Sequence, residues 1–148
     1  MSRIVQLADA IVAELKCGAF SQCFEVQRYF APTIALTEEN KTLVLVVPSS
    51  ISVASRSRGL MQDVIAIDCG VTEKISPDKP KRIEALLTLT EEIMHIFELK
   101  RPDVDQLYTW TGTESKLLYD PERLQASYQF FSLFTWSFTY FREGRTHG

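Results

Sequence analysis

The chain has 148 residues, of which 45% are hydrophobic and 24% charged, and this size and composition predict one domain, 1–148, with one hydrophobic core. Its formal net charge of -3 disfavours direct recognition of DNA or RNA, which needs a clearly basic domain or a basic stripe. No apolar run approaches the roughly 18 residues that span a membrane, and Asp9 and Glu14 interrupt the N-terminal segment where a signal peptide would be apolar.

The N-terminal segment predicts an amphipathic helix from about Ser2 to Cys17. Its apolar residues recur at the i, i+3, i+4 and i+7 spacing that lines one face of a helix. Ser2 is suited to cap the start of this helix, and Gly18 to end it. The next segment, CFEVQRYFA, alternates in polarity and predicts a strand that ends before Pro32.

Two apolar runs are predicted to pair as antiparallel strands. They are TLVLVVP, 42–48, and DVIAIDCGVTEKI, 63–75, and both are rich in β-branched residues. The link between them, 49–62, is much longer than a tight hairpin loop of about two to five residues. Because Ile51 and Val53 keep the period of a strand, we expect the strands to continue outward as an arm with Ser55 to Gly59 as its polar tip.

A second amphipathic helix is predicted over KRIEALLTLTEEIMHIFELKR, 81–101. Asp78 and Pro80 mark its start, and Pro102 lies just past its end. The remainder predicts a strand at QLYTWTGT, a turn or a single helical turn around Pro121, and a long final strand at SYQFFSLFTWSFTYF. The C-terminal tail, about 143–148, is predicted to be flexible.

The final strand carries aromatic residues at every second position. Phe134, Trp136 and Phe138 share one face, so we predict that they form a core aromatic strand. Phe131, Leu133 and Phe141 add apolar side chains to the opposite face. A small domain buries one such face beneath two helices, and the ends of the second face are predicted to need another subunit or a fully two-sided sheet. Core packing alone and partial use in an interface are the two alternatives for this aromatic surface.

The order of the elements is helix, strand, two paired strands, helix and two strands. This order lacks the regular β-α-β alternation of a parallel sheet. It therefore predicts an α+β fold: a mostly antiparallel β-sheet with two amphipathic helices packed against it and an extended β-arm or loop.

Residue types that carry catalysis are sparse. The two histidines are His95, predicted on a helix surface, and His147, in the polar tail. Cys17, Cys23 and Cys69 form no CxxC pair and are expected to be small buried residues. Because no His, Cys, Asp and Glu cluster has ligand spacing, we predict no metal site, no cofactor and no catalytic residue, and a protein that is not an enzyme.

The segment SRSRG, 55–59, is predicted to contact a partner. It lacks the GxxxxGK[ST] pattern of a phosphate-binding loop, and no helix signal follows it directly. We therefore expect Arg56, Arg58 and Gly59 to lie at a solvated tip, where the two arginines meet carboxylates of a neighbouring subunit or another protein.

Four stretches together resemble a family. They are IVQLADAIVAELKCGAFSQCFEVQRYFAP, LVLVVPSSISVASRSRG, DVIAIDCGVTEKI and LYDPERLQASYQFFSLFTWSFTYF. In this order they are similar to tail-terminator or tail-completion (head-tail joining) proteins of tailed bacteriophages and prophages. The resemblance covers nearly the whole chain and is one of overall pattern, since no single piece is chemically diagnostic.

The resemblance implies a structural protein of the virion. Such a subunit forms a homo-hexameric ring on the end of the tail tube, stops its polymerisation and contributes to the neck. Its partners would be further copies of itself, the tail tube protein and a neck or head-completion protein, after assembly in the host bacterial cytoplasm. Two alternatives stay open: another neck, adaptor or tail-tube ring protein of the same particle, or a small host enzyme or ligand-binding domain with a pocket between helices and sheet.

Overall fold

The computed structural model describes residues 2–30, 41–98 and 108–143. Its elements in chain order are α1 (Arg3–Cys17), β1 (Glu25–Arg28), β2 (Leu43–Ser57), β3 (Leu60–Lys74), α2 (Pro80–Met94), a 3-10 turn (Ile96–Glu98), β4 (Thr109–Leu117), α3 (Pro121–Ser127) and β5 (Gln129–Glu143). The predicted α+β fold is confirmed.

The five strands form one sheet in the order β1-β2-β3-β5-β4. β1 runs parallel to β2, and every other neighbouring pair is antiparallel. The ladder between β3 and β5 continues without irregularity from Leu60 and Glu143 to Lys74 and Gln129. The ladders of β2 on β3 and of β4 on β5 each contain two register shifts. The two central strands are therefore the regular part of the sheet.

The main core lies between the helices and one face of the sheet. The helices contribute their apolar stripes because residues three and four apart share a helix face. Phe134, Trp136 and Phe138 are each 0% exposed in this core, as the alternation predicts. Buried residues of this cluster from the other elements include Leu7, Ala8, Ile11 and Leu15 of α1, Leu86, Leu89 and Ile93 of α2, and Ile65, Ile67, Cys69 and Val71 of β3.

A smaller apolar cluster lies on the other face of the sheet. Leu43, Leu45 and Val47 of β2 are buried there together with Phe131 of β5. The Phe131 ring lies across Gly70 of the intervening strand, where an added Cβ atom would come within 3.3 Å of the ring. A glycine on β3 thus allows an aromatic ring on β5 to approach β2.

The predicted arm is confirmed, and its turn is shorter than the sequence indicates. β2 and β3 pair through the whole link, with Ser55 opposite Met61 and Ser57 opposite Leu60. Only Arg58 and Gly59 remain as the turn, and Gly59 has φ +81°, a conformation that glycine adopts without steric cost. The polar tip predicted for Ser55 to Gly59 is therefore mostly strand.

Several other expectations change. The segment around Pro121 forms the helix α3, because the Asp120 carboxylate accepts hydrogen bonds from the backbone N–H groups of Glu122 (3.0 Å) and Arg123 (3.3 Å).

The expectation that the cysteines are buried is wrong for Cys17 and Cys23, which are exposed, and right for Cys69. α2 ends at Met94, earlier than the predicted 101. Residues 99–102 and the predicted tail after residue 143 lie outside the described residues.

Candidate interaction site

The outer parts of β2, β3 and β5 extend beyond their neighbours as a three-stranded arm. We define the arm as 49–57 of β2, 60–66 of β3 and 140–143 of β5. β1 pairs with β2 only along Leu43–Val46, and the pairing of β4 with β5 reaches no further than Thr139. Within the described ranges, both outer edges of the arm consequently lack a neighbouring strand.

Large apolar side chains are exposed on this arm. Ile51 is 49% exposed, Val53 is 53% and Phe141 is 51%, and Leu60 near the turn is 37% exposed. Ile51 and Val53 lie on the helix side of the sheet, because they stand opposite Ile65 and Asp63. Exposed apolar groups concentrated on one projection are typical of a surface that another protein covers.

The tip of the arm is positively charged. Arg56 and Arg58 lie at or beside the turn with Gly59, as predicted, and the segment 49–62 contains no acidic residue. The Arg56 guanidinium donates through Nε to Oε1 of Gln62, which fixes it across the hairpin. The chain as a whole has a net charge of -3, so the charge of the tip is opposite in sign to the net charge of the chain.

Asp63 lies midway along the β3 part of the arm, in the row that joins Val53, Asp63 and Tyr140. Arg142 donates from Nε to Oδ2 of Asp63 at 2.8 Å, an ion pair that joins β3 to β5. The other carboxylate oxygen, Oδ1, is buried and has no hydrogen-bond partner among the described residues. A buried carboxylate oxygen without a hydrogen bond is rare in native structures, so Oδ1 of Asp63 makes this part of the arm a candidate functional position.

Sequence reasoning missed a buried ionic cluster at the opposite end of β3. The Glu73 side chain is 0% exposed and meets the Arg82 guanidinium of α2 through two hydrogen bonds, Nε to Oε2 at 2.7 Å and Nη2 to Oε1 at 2.5 Å. Thr42 donates its hydroxyl to Oε1 of Glu73 at 2.6 Å. Gln22, in the loop after α1, accepts from Nη1 of Arg82 at 2.8 Å. The cluster therefore connects four separate parts of the chain.

The electrostatics of this cluster favour an ionised carboxylate. Burial raises the pKa of Glu73, but the hydrogen bonds from Arg82 and Thr42 outweigh it, so the pKa lies below its ordinary value of 4.5. The same pairing raises the pKa of Arg82. A carboxylate with a lowered pKa and three donors is held as a structural ion pair and is poorly suited to accept a proton in catalysis.

The other potentially reactive side chains lie apart from one another. Burial raises the pKa of the Cys69 thiol well above its usual range. His95 is exposed at the C-terminal end of α2, where Nδ1 contacts the Glu98 carboxylate. A surface recess of about 490 Å³ is lined by Leu15, Lys16 and residues 18–24, and Lys16 is the only charged residue of this lining. In the described ranges, no group of three or more His, Cys, Asp and Glu side chains could hold a metal ion, and no helix is long and apolar enough to cross a membrane.

No model of a known protein family matches the chain, and no curated protein is significantly similar to it. The resemblance in the sequence and the geometry of the arm are therefore the two grounds for a functional proposal. The predicted site residues fall into two groups. Arg56, Arg58 and Gly59 lie together at the tip of the arm, whereas Phe134, Trp136 and Phe138 belong to the core.

Proposed function

We propose that this chain is a structural virion protein of a tailed bacteriophage. It caps the tail tube as a ring, ends tail polymerisation and forms part of the head-tail interface at the neck. The observation that carries the proposal is the three-stranded arm, which extends beyond β1 and β4 and presents exposed apolar groups, two arginines and strand edges that have no partner strand among the described residues.

The arm has the features of a protein contact surface. Exposed strand edges offer rows of backbone donors and acceptors, which a neighbouring chain satisfies by adding a strand. Aromatic and arginine side chains, here Phe141 and the tip arginines, are enriched at protein interfaces. Such a surface supports assembly, and assembly is the activity that the family resemblance implies.

A ring requires an interface between two different surfaces of the subunit. When the rotation between neighbours closes, such a heterologous contact produces a cyclic oligomer. We propose a homo-hexamer that contacts the tail tube protein on one axial face and a neck or head-completion protein on the other. The helix-covered core gives each subunit a fixed shape, which a closed ring needs.

The ring is tested with the purified protein and with virions. We expect mass measurement of concentrated protein to give a hexamer, and antibody labelling of virions to mark only the head-proximal end of the tail. Labelling along the entire tube would identify a tube protein instead. A monomer that is also absent from virions would refute the proposal.

The arm is tested by charge reversal. Arg56→Glu with Arg58→Glu should leave folding nearly unchanged, because exposed substitutions usually change stability by within about 0.5 kcal/mol. It should nevertheless yield tails of abnormal length when it replaces the wild-type protein during infection. Lys81→Glu with Lys116→Glu is the matched control, since both lysines are exposed outside the arm and the change in charge is equal. Normal tails from both variants would exclude the arm tip as a partner site.

A further inference from the structure

Beyond the end of β1, the edge of β2 has no partner strand among the described residues and presents a regular set of backbone groups. The Val46 carbonyl accepts from the Tyr29 N–H at 2.9 Å, so the backbone groups of Val46 point towards β1. A register shift between Pro48 and Ser50 then moves the alternation by one residue. As a result, the N–H and C=O groups of Ile51, Val53 and Ser55 point away from β3, on the side where β1 has ended.

The edge of β5 is open in a corresponding way. The same alternation continues across β3 to β5. Backbone groups point towards β3 at residues 138, 140 and 142, and they point outward at residues 139, 141 and 143. The pairing of β4 stops at Thr139. The outward groups of Phe141 and Glu143 therefore lack a strand partner within the described residues.

These two edges fit each other. β2 and β5 are both antiparallel to β3, so both run towards the tip of the arm. The small residues Ser52 and Ala54 lie on the same face of the sheet as Phe141, and Ala54, Gln62 and Phe141 form one row. Side by side, the small side chains of one copy leave room for the exposed ring of the next.

Opposite charges at the ends of the two edges also favour their pairing. Glu143 stands in the row of Leu60, level with the end of β2, where Arg56 and Arg58 lie. When two arms stand side by side with their tips level, these arginines approach the Glu143 carboxylate of the neighbour. Opposite charges across neighbouring strands stabilise the pairing and favour this register.

We propose that the β2 edge of one copy beyond Pro48 pairs in parallel with the β5 edge of the next copy beyond Thr139, where β4 has ended, so that the arms form a continuous sheet around the ring. The inference rests on the proposed function and names the partner of the arm as a second copy of this chain. β4, one of the two outer strands of the sheet, is unsuited to this pairing, because its ladder contains two register shifts and its sequence contains Glu114 and Lys116. The β2 edge from Ser50 to Ser55 has neither charge nor proline.

Disulfide trapping tests this pairing. In a background with Cys17→Ser and Cys23→Ser, one chain carries Ala54→Cys and Phe141→Cys. These positions are two strands apart, about 10 Å, within one arm, beyond the roughly 7 Å between Cα atoms that a disulfide allows. A bond between them must therefore join two chains. A second pair, Ser52→Cys with Phe141→Cys, covers a register displaced by two residues.

We expect mild oxidation of the concentrated protein to give a ladder of covalent oligomers from one of these pairs. The single variants should give none, and neither should Val53→Cys with Phe141→Cys, whose side chains lie on opposite faces. The absence of a ladder from both pairs would overturn the proposal. A covalent dimer from Val53→Cys alone would also overturn it, because that product requires two β2 edges related by a twofold axis.

A proline variant gives a second measurement that needs no cysteine. Val53→Pro removes an outward N–H and no ladder bond to β3, so the variant should fold but lose its oligomers in sedimentation. Unchanged oligomers would contradict the pairing. The proposed function fails separately: a ladder from a protein that is absent from tails would leave the pairing intact, and tail-bound rings without a ladder would remove only the pairing.

Discussion

Replacing Arg82 by alanine tests the buried ionic cluster that joins β3 to α2. The Glu73 carboxylate is 0% exposed on its side chain, and Arg82 supplies two of its hydrogen bonds. The variant leaves this carboxylate buried with Thr42 as its remaining neutral donor. An uncompensated buried charge is among the costliest defects that a single substitution creates.

The expected magnitude depends on which partner is removed. Breaking a buried ion pair by deleting one partner costs about 3–5 kcal/mol, a large part of the roughly 5–15 kcal/mol of a typical domain. Glu73→Gln should cost less than Arg82→Ala, because the Arg82 side chain is 32% exposed and keeps access to water. With Glu73→Gln in place, Arg82→Ala should then have a much smaller effect, since no buried charge remains to be compensated.

The contribution of Glu73 to the pH dependence of stability should have opposite signs in the wild type and in the Arg82→Ala variant. In the wild type the pKa of Glu73 is lowered, so its contribution to stability is present above the ordinary value of 4.5 and is lost as the pH falls through the folded-state pKa. Without Arg82, burial dominates and should raise the pKa of Glu73 above that ordinary value. The variant then loses stability as the pH rises through the raised pKa, so the difference between the proteins is largest near neutral pH.

Urea denaturation of dilute protein at about pH 7 and about pH 4 measures these free energies of unfolding. We expect Arg82→Ala to be most destabilising at the higher pH, and Glu73→Gln to show a smaller loss there. Lys81→Ala, one residue away on an exposed position of α2, is the control and should be nearly neutral. An equal cost of Arg82→Ala at both pH values would refute an ionised, paired Glu73 in the folded protein.

Four further substitutions are checked by the same denaturation measurement. Trp136→Ala should cost about 3–5 kcal/mol, because the ring is fully buried against Phe97 and its N–H donates to a backbone carbonyl, whereas Thr139→Ala on the other face should cost about 1 kcal/mol or less. Unchanged stability of the Trp136 variant would reverse the assignment of the two faces. Asp120→Ala should cost about 0.5–2 kcal/mol through the lost helix cap, and no loss would show that α3 does not need it. Gly59→Ala should cost about 1–2 kcal/mol because of its positive φ, and a neutral result would contradict the described turn.

The sequence predicted those elements whose periodicity is long and unbroken. The apolar stripe of α1 and the alternating aromatic residues of β5 each repeat over many residues, so the buried side follows from the period alone. The arm followed from only two residues, Ile51 and Val53, because alternation continued where a loop would have lost it. Its two-residue turn escaped prediction, since Arg58 and Gly59 lie in a polar stretch that gives no strand signal.

The parallel pairing of β1 could not be predicted. β1 has only the four residues Glu25–Arg28, and its partner is set by tertiary contacts with α1 and β2. The Glu73 cluster, by contrast, did leave a signal. Ile65, Ile67, Cys69 and Val71 share the helix-covered face, and the same alternation places Glu73 on it. A carboxylate at a core position predicts a buried cationic partner, and Arg82 follows after the turn.

The regular ladder between β3 and β5 explains how the arm and the core act together. These strands pass from the buried core at Trp136 to the exposed arm at Phe141 without a break in register, whereas the ladders of β2 on β3 and of β4 on β5 each contain two register shifts. The Arg142–Asp63 ion pair joins the same two strands within the arm. The arm is therefore held in one direction by the core before any partner binds. Because little conformational freedom remains to be lost on association, a pre-positioned arm favours assembly more than a mobile loop of the same sequence would.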